Sequence, residues 1–145
     1  MPYWRLFYHF VWGTKNGEPL IEPRWENSLH NVIVAKATRL EARVHAVGGT
    51  DNHIHLVVSV PPKLALSTFI GQVKGNTSHW VNHELKLGHQ FAWQAEHGVV
   101  SFGGKQLDVV VRYAKNQRKH HTERTSIPML EWVAPPQTGG VEPPP

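Results

Sequence analysis

The stretch "DNHIHLVVSVPP", Asp51 to Pro62, constrains the fold more than any other part of the chain. It is an apolar run bounded by turn formers and a Pro-Pro stop, which reads as a strand over Asn52–Val60. Strand side chains alternate, so Ile54, Leu56, Val58 and Val60 share one face and His53, His55, Val57 and Ser59 share the other. The first face needs an apolar cover. The second carries two imidazoles a few ångströms apart, a spacing suited to one divalent ion. Two ligands are too few for a tight site, and in a chain with 11 histidines an isolated H-x-H is more often simply a polar strand face.

The flanking segments supply the cover. Tyr3–Trp12 alternates as a strand, with Leu6, Tyr8, Phe10 and Trp12 on one side and Arg5, Phe7, His9 and Val11 on the other. Trp25, Leu29, Val32, Ile33 and Leu40 recur at helical spacing and predict a helix over Arg24–Leu40. "ARVHAVGG", Ala42–Gly49, forms a hairpin with the histidine strand. A second helix spans Leu66–Leu87, locally weakened by Gly71 and Gly75, and "FAWQAEHGVVSF" returns to extended character. After Gly103-Gly104 a third helix runs from Gln106 to His121 with Leu107, Val110, Val111 and Ala114 on one stripe.

This order predicts an α+β, ferredoxin-like antiparallel sheet with two helices on one face and an additional C-terminal helix. That extra helix must pack on the open sheet face, on another subunit, or on both. A chain of 145 residues suits one domain, read as 1–133, with a Pro/Gly-rich tail over 134–145 expected to be disordered. No apolar run approaches a membrane span, and no secretory leader is evident at the N-terminus, so a cytoplasmic protein is expected.

Composition narrows the chemistry. With no cysteine, disulfides, thiolate nucleophiles and sulfur-bound metals are excluded, and any ion must take nitrogen and oxygen ligands. A net charge of +4 and a pI of 9.6 favour an acidic partner such as nucleic acid. On the third helix Tyr113 and Gln117 stand four apart, on one side and at the edge of the apolar stripe. Alone, such a pair is more often a core-edge Tyr and a surface Gln; beside the histidines it could complete a site.

"DNHIHLVVSVPP" followed by "YAKNQ" resembles the single-tyrosine HUH transposases of small bacterial insertion sequences, the IS200-like group. "LSTFIGQVKGNTSHWVN" and "FAWQAEHGVVSF" agree, so the likeness covers roughly Tyr3 to Arg124. Departures occur at His97, where relatives often have an aromatic, and at Ala114, which replaces a bulkier apolar residue. The resemblance implies His53, His55 and Gln117 as ligands of Mg²⁺ or Mn²⁺, although ligand type alone would admit Zn²⁺. It implies Tyr113 as the nucleophile, giving a 5′-phosphotyrosine on single-stranded DNA that bears end hairpins.

It further implies a homodimer in which the tyrosine helix can complete the partner's site, with Gly103-Gly104 as a candidate hinge. Arg112, Lys115, Arg118, Lys119 and Arg124 could follow phosphates, with Lys63 and Lys74 weaker candidates. For any single one, a solvated cationic face is an equal reading. His120 and His121 point about 100° apart and read as surface or phosphate-contacting residues. Two alternatives stay open: a domesticated relative acting on dispersed palindromic repeats, and a non-catalytic, basic, dimeric nucleic-acid-binding module.

Overall fold

The structure, a computed structural model, describes residues 3–117. Four strands, β1 (Phe7–Gly13), β2 (Arg43–Gly49), β3 (His53–Ser59) and β4 (Gly98–Phe102), form one sheet in the order β2-β3-β1-β4. All three pairings are antiparallel. Helices α1 (Pro23–Arg39) and α2 (Leu66–Trp80) cover one face, and α3 (Leu107–Lys115) lies on the other. The expected ferredoxin-like α+β architecture is what forms, and the extra helix packs on its own sheet.

The alternation of β1 and β3 explains the two cores. Phe10, Trp12, Ile54, Leu56, Val58 and Val60 point at α1 and α2 and join Leu29, Ile33, Phe69, Ile70 and Val73 in the main core. Val57 and Ala46, on the opposite face, meet Val110 and Ala114 of α3 in a much smaller cluster. Every side chain of β3 is buried because each face is covered. α1 starts on Pro23, whose missing N–H costs nothing in the first turn.

Several boundaries differ from the expectations, most by a single residue. Tyr3–Leu6 lies outside β1 because β3 and β4 run out of partners at Tyr8↔Val58 and Phe7↔Phe102. The second helix ends at Trp80 and widens into a π-helical turn over Val81–Leu85. There the Asn82 amide clamps the backbone of Phe91, donating to its carbonyl at 2.9 Å and accepting from its N–H at 2.8 Å.

The last strand begins at Gly98, not Phe91. Trp93 still bridges Thr14, but the carbonyls of Ala95 and Glu96 turn away to accept from the Lys74 ammonium. The third helix starts one residue late, after a 3₁₀ turn at Gly104–Gln106. It ends at Lys115, where Asn116 leaves the helical conformation, instead of continuing unbroken to the expected His121; His121 and the tail lie outside the described residues.

Candidate active site

The sheet face under α3 brings together, at matching parity, His53 and His55 from β3 and His9 from β1. α3 crosses this face close to β2, and Gly48 is the reason it can. Gly48 pairs with His55, and a Cβ there would stand 1.8 Å from the Ala114 carbonyl oxygen. The absent side chain lets the backbone of α3 rest on the strand. The helix then delivers Tyr113 to His55, with ring centroids 5.8 Å apart, and the chain just past its end delivers Gln117 to His53.

Hydrogen bonds define which atoms face which. The Asn52 amide donates to the Gly17 carbonyl at 3.2 Å, so its oxygen is turned to His53. That oxygen can only accept, and it stands 2.9 Å from His53 Nδ1, as does the Thr50 hydroxyl. His53 therefore carries its proton on Nδ1 and presents the Nε2 lone pair. Gln117 Nε2 donates to the Tyr113 carbonyl at 2.7 Å, which turns Gln117 Oε1 toward His53 Nε2 at 3.4 Å.

With the proton of His53 on Nδ1, its Nε2 and Gln117 Oε1 both offer lone pairs across this gap, an arrangement that an ion could bridge. Two donors each about 2.1 Å from one ion stand about 3.0–3.4 Å apart at angles of about 90–110°. The residues therefore fit a small divalent ion. Among the described residues no group of three or more His, Asp or Glu side chains is arranged to hold a metal, so an ion held here would draw on a neutral oxygen such as that of Gln117. His55 is fully buried, with its Nδ1 2.8 Å from His9 Nε2. Tyr113 is 3% exposed.

A family model described as "Transposase IS200 like" matches residues 2–117. The chain belongs to the IS200-like transposase family. It is 24% identical over 132 residues to the transposase for insertion sequence element IS200 of Salmonella typhimurium, and equally to that of Salmonella typhi; each alignment covers 86% of both chains. Two solved structures share the fold at a TM-score of 0.62. One is a transposase-like protein from Deinococcus radiodurans R1, 20% identical, covering 81% of this chain and 95% of that one. The other is a REP-associated tyrosine transposase bound to a REP hairpin, 13% identical, covering 95% of this chain and 94% of that one.

The remaining predicted positions of this family member are spread over several elements on both sides of the sheet. Arg112 and Lys115 are exposed on the outer side of α3. Lys63 is exposed and paired with Glu41. Lys74 lines a groove of about 500 Å³ between α2 and residues 90–97. Burial lowers its ammonium to about 8, partly opposed by Glu96. His97, in the same groove, is lowered by burial first and by Lys74 second, with Glu96 opposing. Arg118, Lys119, His120, His121 and Arg124 lie outside the described residues.

Gly48, Thr50, Asn52 and His9 are the residues that the sequence pattern did not mark. "GGTDN" reads as a turn, and its hydrogen bonds to His53 emerge only once the hairpin closes. His9 shares strand parity with the pair, a usable signal, but it becomes relevant only when β1 is known to pair with β3.

Proposed function

We propose that this chain cuts and rejoins single-stranded DNA, with Tyr113 as nucleophile and His53, His55 and Gln117 as the ligands of Mg²⁺ or Mn²⁺. The observation that carries this reading is that α3 and the residues just past its end set Tyr113 and Gln117 on the sheet face of His53 and His55. When bound, the ion would offset the negative charge of the phosphodiester and help orient it. The Tyr113 phenol attacks phosphorus, an O–P bond to the tyrosine forms, and the bond to the 3′-oxygen breaks. The products are a 5′-phosphotyrosine and a 3′-hydroxyl, the phenolic proton passing to solvent or to the departing oxygen.

Another 3′-hydroxyl reverses the step, so rejoining needs no external energy source. Tyr113 is buried, so the reaction requires its phenol to become accessible to a phosphate, as it would if α3 lifted from the sheet. Among the described residues the apolar cluster that holds the helix down, Ala46, Val57, Val110 and Ala114 with the partly buried Phe102, Leu107 and Val111, is much smaller than the main core. A helix attached so lightly suits a homodimer in which two copies exchange it, with Gly103-Gly104 as the hinge. Hairpin DNA is the substrate shape we infer, in keeping with the REP hairpin held by a structural relative.

That relative also favours a second reading, in which the same site acts on dispersed palindromic repeats instead of element ends. Cleavage of the two hairpin classes in parallel separates them. The decisive test of both is a covalent adduct. With Mn²⁺ and single-stranded hairpin substrates, the wild type should give a denaturation-resistant protein–DNA species and Tyr113→Phe none. Equal adduct from both proteins refutes the mechanism, and binding with no cut under any metal leaves the non-catalytic module.

A further inference from the structure

We propose that His9 is a positioning residue that fixes the tautomer and ring orientation of His55, and so decides whether His55 can offer a lone pair at Nε2. The proposal rests on the reading of His55 as a metal ligand. His9 is 1% exposed on the central strand β1. β1 pairs with β3 so that Val11 faces His55 and His9 faces Val57, which makes His9 the diagonal neighbour of His55 on the face under α3. The two rings stack at 4.9 Å between centroids with 29° between planes, and His9 Nε2 lies 2.8 Å from His55 Nδ1.

A contact this short between two imidazole nitrogens holds one hydrogen, and with both rings neutral there are two ways to place it. If His9 donates, His55 keeps its own proton on Nε2 and presents no lone pair there. If His55 donates from Nδ1, its Nε2 carries a lone pair on the other side of the ring. Only the second arrangement lets His55 act as a ligand, and it requires His9 to accept at Nε2. His53 is fixed in the same sense by different residues, Thr50 and Asn52 in the β2–β3 hairpin. Each histidine thus has its own orienting partner from a different element, as metal-ligating imidazoles generally do.

The test uses the whole chain labelled with ¹⁵N-histidine, without metal, at about pH 8.5, where imidazoles are ordinarily neutral. Long-range ¹H–¹⁵N correlations should show His55 protonated on Nδ1 in the wild type. His9→Gln, which retains an acceptor at similar reach, should keep that pattern; His9→Leu should lose it. Mn²⁺ titration of the same samples should show affinity about 10–100-fold weaker in His9→Leu and largely restored in His9→Gln. Circular dichroism melting verifies that each variant is folded.

A wild-type His55 protonated on Nε2 overturns the proposal without any variant. So does a folded His9→Leu that retains both the Nδ1 pattern and wild-type Mn²⁺ affinity. If His9 controls the tautomer but the wild type and His55→Ala bind Mn²⁺ equally poorly, the ligand reading fails while the control of His55 by His9 is supported.

Discussion

Gly48 and Asn52 act on the site without belonging to its chemistry. Gly48→Ala would drive a methyl group into the Ala114 carbonyl, and neither partner can yield because both are backbone-anchored. We expect a loss of about 1–3 kcal/mol in urea unfolding, as for other overpacking changes, together with weaker Mn²⁺ binding as α3 moves off the sheet. Unchanged stability would mean that the helix is not seated on β2. Asn52→Leu removes the acceptor that sets the His53 tautomer, and Mn²⁺ affinity measured by calorimetry should fall about 10–100-fold. Thr50 alone would have to orient the ring if it does not.

At the scale of elements, α2 and the segment 90–97 are joined through Lys74. Its amine reaches the carbonyls of Ala95 and Glu96 at 3.3 and 3.1 Å, which is why β4 begins only at Gly98. Burial lowers its folded pKa from 10.5 to about 8, so between these values the folded chain binds fewer protons than the unfolded one. Stability from this group therefore rises with pH across that window. Against Lys74→Met, the wild type should gain in urea midpoint as pH increases from about 8 to about 10.5; a difference independent of pH would refute the shift. If Lys74 also meets phosphate, the affinity advantage of the wild type for single-stranded DNA should be present at pH 7 and fade above about 8.

Across the whole molecule, the charge of +4 is the property that a polyanion would sense first. Arg112 and Lys115 lie exposed on the helix that carries Tyr113. Replacing either with Ala should make the log–log salt dependence of single-strand binding shallower by roughly 0.7 for each phosphate that the side chain neutralises. A chelator should abolish cutting and leave most binding intact, as measured by gel shift beside the adduct assay. Among the described residues no helix is long and apolar enough to cross a membrane.

The main sheet and its two covering helices were legible because alternation and 3.6-residue periodicity are local properties of the chain. Period two put Ile54, Leu56 and Val58 on one face and His53 and His55 on the other before any tertiary neighbour was known, and both assignments hold. The stripe of α3 was equally legible, as Val110 and Ala114 show. Its destination was not, because a periodic stripe records that a helix has an apolar face and says nothing about which surface meets it. The tertiary structure decided that α3 lies on its own sheet, at a height set by Gly48, and that Gln117 Oε1 opposes His53 Nε2. It also joined His9 to His55 across 46 positions of chain. Such pairings depend on strand register and on the approach of backbones, which no single segment encodes.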